Sequence, residues 1–242
     1  MPSPGGGRVA AGRVRGKPEY PMNLNLAAQI NSVMAALILL TAFGLLAQRR
    51  ILALLHLFAW QGFFLCVSTA IVGYVTGVHH LFISSLLTLT LKVIVLPYIL
   101  YALIRKLNIR KEIETLVNIP MTMLMGIGLV IFSYHLTAPI TQLSTLVTRS
   151  TLAVALATVM LGLLMMVTRR HAVTQIIGFL ALENGLFFAA TSATYGMPMV
   201  VELGVALDLL IAAFIFGIFF FHISTTFDSL DVEQMARLKE GD

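Results

Sequence analysis

Charge is what this chain has least of. Only 11% of its 242 residues are Asp, Glu, Lys or Arg, while 58% are hydrophobic and the mean hydropathy is +0.92. A soluble domain carries about 25% charged residues. A water-soluble globule is therefore excluded, and an all-α polytopic membrane protein is implied. Cysteine is almost missing too. The single Cys66 excludes an internal disulfide, a cysteine zinc site and an iron–sulfur cluster within the chain. Any redox chemistry is expected in another subunit. There is no phosphate-binding glycine loop, no Ser/His/Asp set and no basic–aromatic patch for nucleic acid. No catalytic residue and no metal site is assigned. The net charge of +5 sits largely in short loops and the N-terminal tail, and reads as topology and headgroup contact with the bilayer.

What is present is a series of long apolar runs. Seven candidate spans lie at 24–47, 51–75, 78–104, 119–137, 149–168, 172–193 and 198–222, the fourth being the shortest. At about 1.5 Å per residue each can cross a hydrocarbon core of roughly 30 Å. Residues 1–21, rich in Gly, Pro and Arg, read as a disordered tail. The charged stretch RKLNIRKEIETLVN (105–118) is expected to lie along the interface. The chain thus divides into a first three-helix unit (22–104), a linker with the fourth helix (105–148), a second three-helix unit (149–222) and a tail (223–242). Arg49–Arg50, the Arg105–Lys111 cluster and Arg169–Arg170 all fall after odd-numbered spans. The positive-inside rule then puts the N-terminus outside and the C-terminus in the cytoplasm, although the basic tail pulls the other way. A faint parallel repeat aligns 59–70 with 182–193 and 87–95 with 203–211, matching Gln61 to Asn184 and Lys92 to Asp208.

Ionisable groups deep in these spans are the candidate functional residues. A charge at the bilayer centre costs about 2.5–3.5 kcal/mol on insertion scales, so each one needs a reason to be there. Lys92 in LKVIVLPYIL precedes Pro97, which cannot donate to the Val93 carbonyl; a bent helix with a free carbonyl beside a lysine suits a hydrated relay. Glu183 and Asn184 stand in FLALENGLFF and point about 100° apart on a helix, with Gly185 allowing close approach. Asp208 sits in mid-span, and Glu202 nearer the outer surface. His56 and Gln61 are polar positions of the second span, as relay members or interhelical donors. The alternative for each is interhelical packing.

Four ordered segments, TLKVIVLPYILYALIRKL, IIGFLALENGLFFAA, VELGVALDLLIA and TFDSLDVEQMARLKEG, resemble the E subunit of hydrogenase-4 from about Met22 onward. That family belongs to the membrane arm of group 4 NiFe hydrogenases and formate hydrogenlyase-type complexes. The last three spans are also similar to the K subunit of respiratory complex I and the C subunit of multisubunit cation/proton antiporters. Asp208 matches the second of that group's two membrane carboxylates. The position of the first falls on Leu180, one helical turn from Glu183. The resemblance implies a non-redox subunit of an ion-translocating complex in a bacterial or archaeal cytoplasmic membrane. Its partners would be antiporter-like membrane subunits and a peripheral hydrogenase-like module holding the NiFe and iron–sulfur centres. A structural adaptor and an independent secondary transporter are the alternatives, the latter suggested by the repeat.

Overall fold

The computed structural model describes residues 22–77, 79–106, 116–141, 151–194 and the single positions 210, 213 and 217. The described residues form helices and no strand. Helix α1 (Met22–Ala47) turns through Gln48 and Arg49 into α2 (Ile51–Thr76). The third span is one rod in three parts: α3 (His80–Thr88), a π-helical segment (Leu89–Val95) and α4 (Leu96–Lys106). Helices α5 (Ile119–Thr141), α6 (Thr151–Thr168) and α7 (Ala172–Thr194) complete the set.

Six stretches among the described residues are long and apolar enough to cross a bilayer. Their exposed faces carry Leu40, Ile94, Leu124, Phe132, Val167 and Leu186, spread over five of the six. So much exposed apolar surface is untenable in water and ordinary against lipid tails. The protein is a multi-pass membrane protein. The fourth span, expected to be the shortest, is a full 23-residue helix with Pro139 in its last turn, and the shortest described span is α6 at 18 residues. A proline near the C-terminal end leaves most of the helical ladder untouched, so apolar length prevails there. Of the seventh expected span, Leu210, Ala213 and Gly217 are helical, and Ala213 is buried in the main core with Leu210 packed against it. Residues 1–21, most of the 105–118 linker and the 223–242 tail lie outside the described residues.

Helices α1, α2, α6 and α7 form the centre. The third span covers one side of α2, and α5 covers α6 and α1 while keeping most of its own surface outward. The α6–α7 pair is the closest. A Cβ on Gly162 would stand 2.7 Å from the Leu182 nitrogen, and one on Gly185 would stand 2.8 Å from the Val159 nitrogen. Only glycine lets the two backbones approach this far, which is how dispersion holds helices together in lipid.

One end of the bundle is fixed by Arg169, just after α6. Its Nη2 donates to the carbonyls of Leu45, Leu46 and Gln48 at 3.1, 2.8 and 2.9 Å. The last carbonyls of any helix lack intrahelical donors, and a cation there also meets the negative end of the helix dipole. Burial, and then the charge of Arg49, push the Arg169 guanidinium below its ordinary value. As a loop residue it counts only toward topology; in the fold it is 1% exposed and closes the end of α1. Leu116 N–H donates to the Thr168 carbonyl at the same end. The arginine-bearing ends of α1, α2, α6 and α7 therefore share one face.

Replacing Arg169 by alanine strips three carbonyls of a charged donor. Arg169→Ala is expected to lower stability by roughly 2–3 kcal/mol. Thermal unfolding of the purified protein in detergent checks this, and Arg169→Lys, a point charge without the planar fork, should recover only part of the loss.

Candidate functional site

Four of the positions that the sequence singles out, Gln61, Lys92, Glu183 and Asn184, converge at mid-depth. Gln61 lies ten residues into α2 and Glu183 eleven residues into α7. Both are therefore about 15–17 Å from their helix starts. Lys92 stands near the middle of the Leu81–Ala102 span. The helices enter from the shared arginine-bearing face or end on it, so these residues meet near the bilayer centre.

Lys92 Nζ meets Glu183 Oε1 as an ion pair at 2.7 Å, with the two side chains 4% and 10% exposed. No water-like dielectric separates charges this deeply placed, so each is tolerated only because the other faces it. The Phe187 ring, one turn beyond Glu183 on α7, lies 5.4 Å from the ammonium. Its negative face favours a cation. Glu183 and Asn184 diverge as adjacent helical residues must: Glu183 faces the third span, while Asn184 Nδ2 donates to Gln61 Oε1 on α2 at 3.3 Å. Gly62 completes the contact. A Cβ there would lie 3.4 Å from the Lys92 Cβ, so the missing side chain admits the third span.

The bend expected at Pro97 takes a particular form. Within the π-helical segment, Leu96 N–H donates to the Leu91 carbonyl, five residues back. The same register from Pro97 would reach Lys92, but Pro97 has no N–H to give. The proline thus withholds a donor from the Lys92 carbonyl rather than from that of Val93 alone. π-Helical segments widen the helix locally and recur at functional sites. Here the widened turn is the one that carries the buried lysine.

The cluster is not saturated. Gln61 Nε2, Glu183 Oε2 and Asn184 Oδ1 are buried and have no hydrogen-bond partner among the described residues, and Lys92 Nζ is held by the Glu183 carboxylate. Three unsatisfied polar atoms in one place is far from the usual state of a protein interior. No group of three or more His, Cys, Asp or Glu among the described residues is placed to hold a metal ion.

His56 is not brought to this cluster. Its ring is exposed, and Nδ1 lies 2.7 Å from the Leu52 carbonyl of its own helix. Asp208 and Glu202 lie outside the described residues. Two interhelical contacts escape a reading of the sequence. Ser68 Oγ donates to Asn31 Oδ1, tying α2 to α1. Cys66 and Ser85 exchange bonds to each other's carbonyls at 3.2 and 3.0 Å, tying α2 to α3. Small polar residues of this kind are common in apolar helices, and only the packing reveals which of them face each other.

These features define a polytopic membrane protein built around a buried intramembrane ion pair. The chain is 30% identical over 219 residues to a Mycobacterium tuberculosis protein named "Uncharacterized protein Rv0085", an alignment that covers 90% of this chain and 99% of that one. The chain belongs to the family of that protein. It is also a distant homologue of hydrogenase-4 component E of Escherichia coli, with 27% identity over 184 residues covering 74% of this chain and 85% of the relative. The Shigella flexneri hydrogenase-4 component E matches equally. No family model matches the chain, and no solved structure does.

Removing one member of the pair strands the other in the membrane. Lys92→Met is expected to cost roughly 3–5 kcal/mol of stability, with Glu183→Gln similar. The double variant Lys92→Met/Glu183→Gln should recover much of that loss. A double-mutant cycle on detergent unfolding midpoints reads the coupling directly.

Proposed function

We propose that the chain is a non-redox membrane subunit of a hydrogenase-4-like assembly, and that its mid-membrane cluster is part of a proton or cation path. Homology to a hydrogenase-4 component supports the assembly. The path is carried by one observation: a Lys92–Glu183 ion pair buried at bilayer depth beside Gln61 and Asn184, with polar atoms on Glu183, Gln61 and Asn184 that have no partner among the described residues. Such a pair is held near its limit of stability, so a small change in the local field moves its charge.

In this reading Glu183 accepts and releases charge, Lys92 responds to it electrostatically, and the widened turn before Pro97 gives Lys92 room to move. Gln61 and Asn184 orient water or a passing ion. Asp208 and Glu202 continue the path, with Asp208 in the place that a complex I K-like subunit would use. The NiFe and iron–sulfur centres belong to partner subunits of a peripheral module, and antiporter-like membrane subunits carry the path onward. The assembly sits in a bacterial or archaeal cytoplasmic membrane, with the C-terminus inside. Redox turnover at the distant centres biases the protonation of the pair.

The Gln61–Asn184 hydrogen bond favours a second reading, a structural adaptor in which the polar residues fix helix packing and anchor the peripheral module. The neutralised pair Lys92→Met/Glu183→Gln, which strands no charge, separates the two in the native complex. The path reading expects normal assembly and redox turnover with ion movement reduced to near background. The adaptor reading expects reduced yield of complex with unchanged ion movement per turnover. Assembly, turnover and membrane-potential-linked ion movement should be measured on one preparation.

A further inference from the structure

The three helices that meet at the ion pair are lined differently on its two sides. Toward the arginine-bearing ends their buried side chains are apolar. Leu54 and Phe58 on α2, Leu96 and Leu100 on α4, and Ile177 and Leu180 on α7 all join one continuous core. On these helices no buried polar side chain among the described residues lies between the pair and that end until Thr174, in the first turn of α7.

The other side carries hydroxyls among its apolar side chains, with Leu65 on α2, Leu81 on α3 and Phe188 on α7 buried there as well. On the third span Ser84, Thr88 and Lys92 are all buried and follow one another at four-residue spacing, so they form a single row. On α2, Ser68 and Thr69 are buried about two turns beyond Gln61. On α7, Thr191 is buried about two turns beyond Glu183. Ser68 donates to Asn31 of α1, and Thr69 and Thr191 donate to carbonyls of their own helices, which leaves each hydroxyl oxygen able to accept from water. Independently of this row, Glu183 Oε2 of the pair and the adjoining Gln61 Nε2 and Asn184 Oδ1 are buried without a partner among the described residues, each able to bind a water molecule.

We propose that water reaches the Lys92–Glu183 pair from the face opposite the arginine-bearing ends, along the Ser84–Thr88 row, and that the apolar core seals the pair from the arginine-bearing face. This rests on the charge-path reading of the same pair and adds the side of entry. The site takes water and the hydrated proton. The Phe187 ring flanks the entry on the α7 side, between the pair and that outer face.

Cysteine accessibility in the native membrane complex tests it. Thr88→Cys and, as controls, Leu96→Cys and Leu100→Cys are made in a Cys66→Ser background. Each is treated with a small charged, membrane-impermeant methanethiosulfonate reagent from either face. The thiolate is the reacting form, so a hydrated position should react at least about tenfold faster than one in an apolar core. The expected result is labelling of Thr88→Cys from the face opposite the arginines, with Leu96→Cys and Leu100→Cys inert from both. Unreactive Thr88→Cys, or a reactive Leu100→Cys, overturns the proposal. If Cys66→Ser lowers the yield of complex, the series is run with Cys66 present and the parent's labelling subtracted. Labelling reports water alone, so its failure is distinct from retained ion movement in Lys92→Met/Glu183→Gln, which would overturn the charge path instead.

Discussion

The contact between Lys92 and Glu183 constrains everything around it. Neither charge could stay at mid-bilayer alone, so the third span and α7 must be held within side-chain reach of each other, although α5 and α6 lie between them in sequence. Helix α2 provides the hold. It touches the widened turn at Gly62 and α7 through Gln61, two successive residues that serve two different neighbours. Adjacent helical positions diverge by about 100°, and both α2 and α7 use that divergence to reach two partners from one level. The cluster is a crossing point of three helices at a single depth.

The remainder of the bundle makes that crossing point rigid. Gly162 and Gly185 bring α6 and α7 into backbone contact, which fixes where α7 stands. Arg169 fixes the end of α6 to the end of α1, and α1 turns within a few residues into α2. A displacement of α7 would therefore be resisted through α6, Arg169 and α1 before it opened the ion pair. Against this stiff frame the third span is the exception. Its π-helical turn, followed by a proline, is the part of the site whose hydrogen-bond register departs from the α-helix. Rigidity on the α7 side and a loosened register on the Lys92 side suit a pair whose geometry changes when charge arrives.

Much of the fold was legible because lipid imposes a simple rule. Apolar runs of sufficient length must be helices, and the ends of the described spans fall within a few residues of the expected ones. The ionisable residues were legible for the same reason, since Lys92 and Glu183 each stand isolated in apolar sequence. Their partnership was not. The internal repeat sets Lys92 beside Asp208 as counterparts, whereas the ion pair joins Lys92 to Glu183; which spans touch is decided by packing at Gly62, Gly162 and Gly185. Gln61 and Asn184 are counterparts in that repeat and also touch, a contact that alignment alone does not imply. Arg169 looked like a topology signal because a loop arginine is usually solvated, and its three carbonyl acceptors lie at the end of α1 and in the turn after it, more than a hundred residues away. The π-helical register escaped because it depends on how Pro97 is accommodated, not on the presence of proline.

The most direct test of a charge-carrying pair is spectroscopic. Redox-triggered infrared difference spectra of the assembled complex report whether a buried carboxyl group changes its protonation or hydrogen bonding during turnover. The account predicts a carboxyl band change in the native complex that is absent from Glu183→Gln. Native and variant spectra with the same carboxyl bands would contradict it and leave the pair as a structural contact.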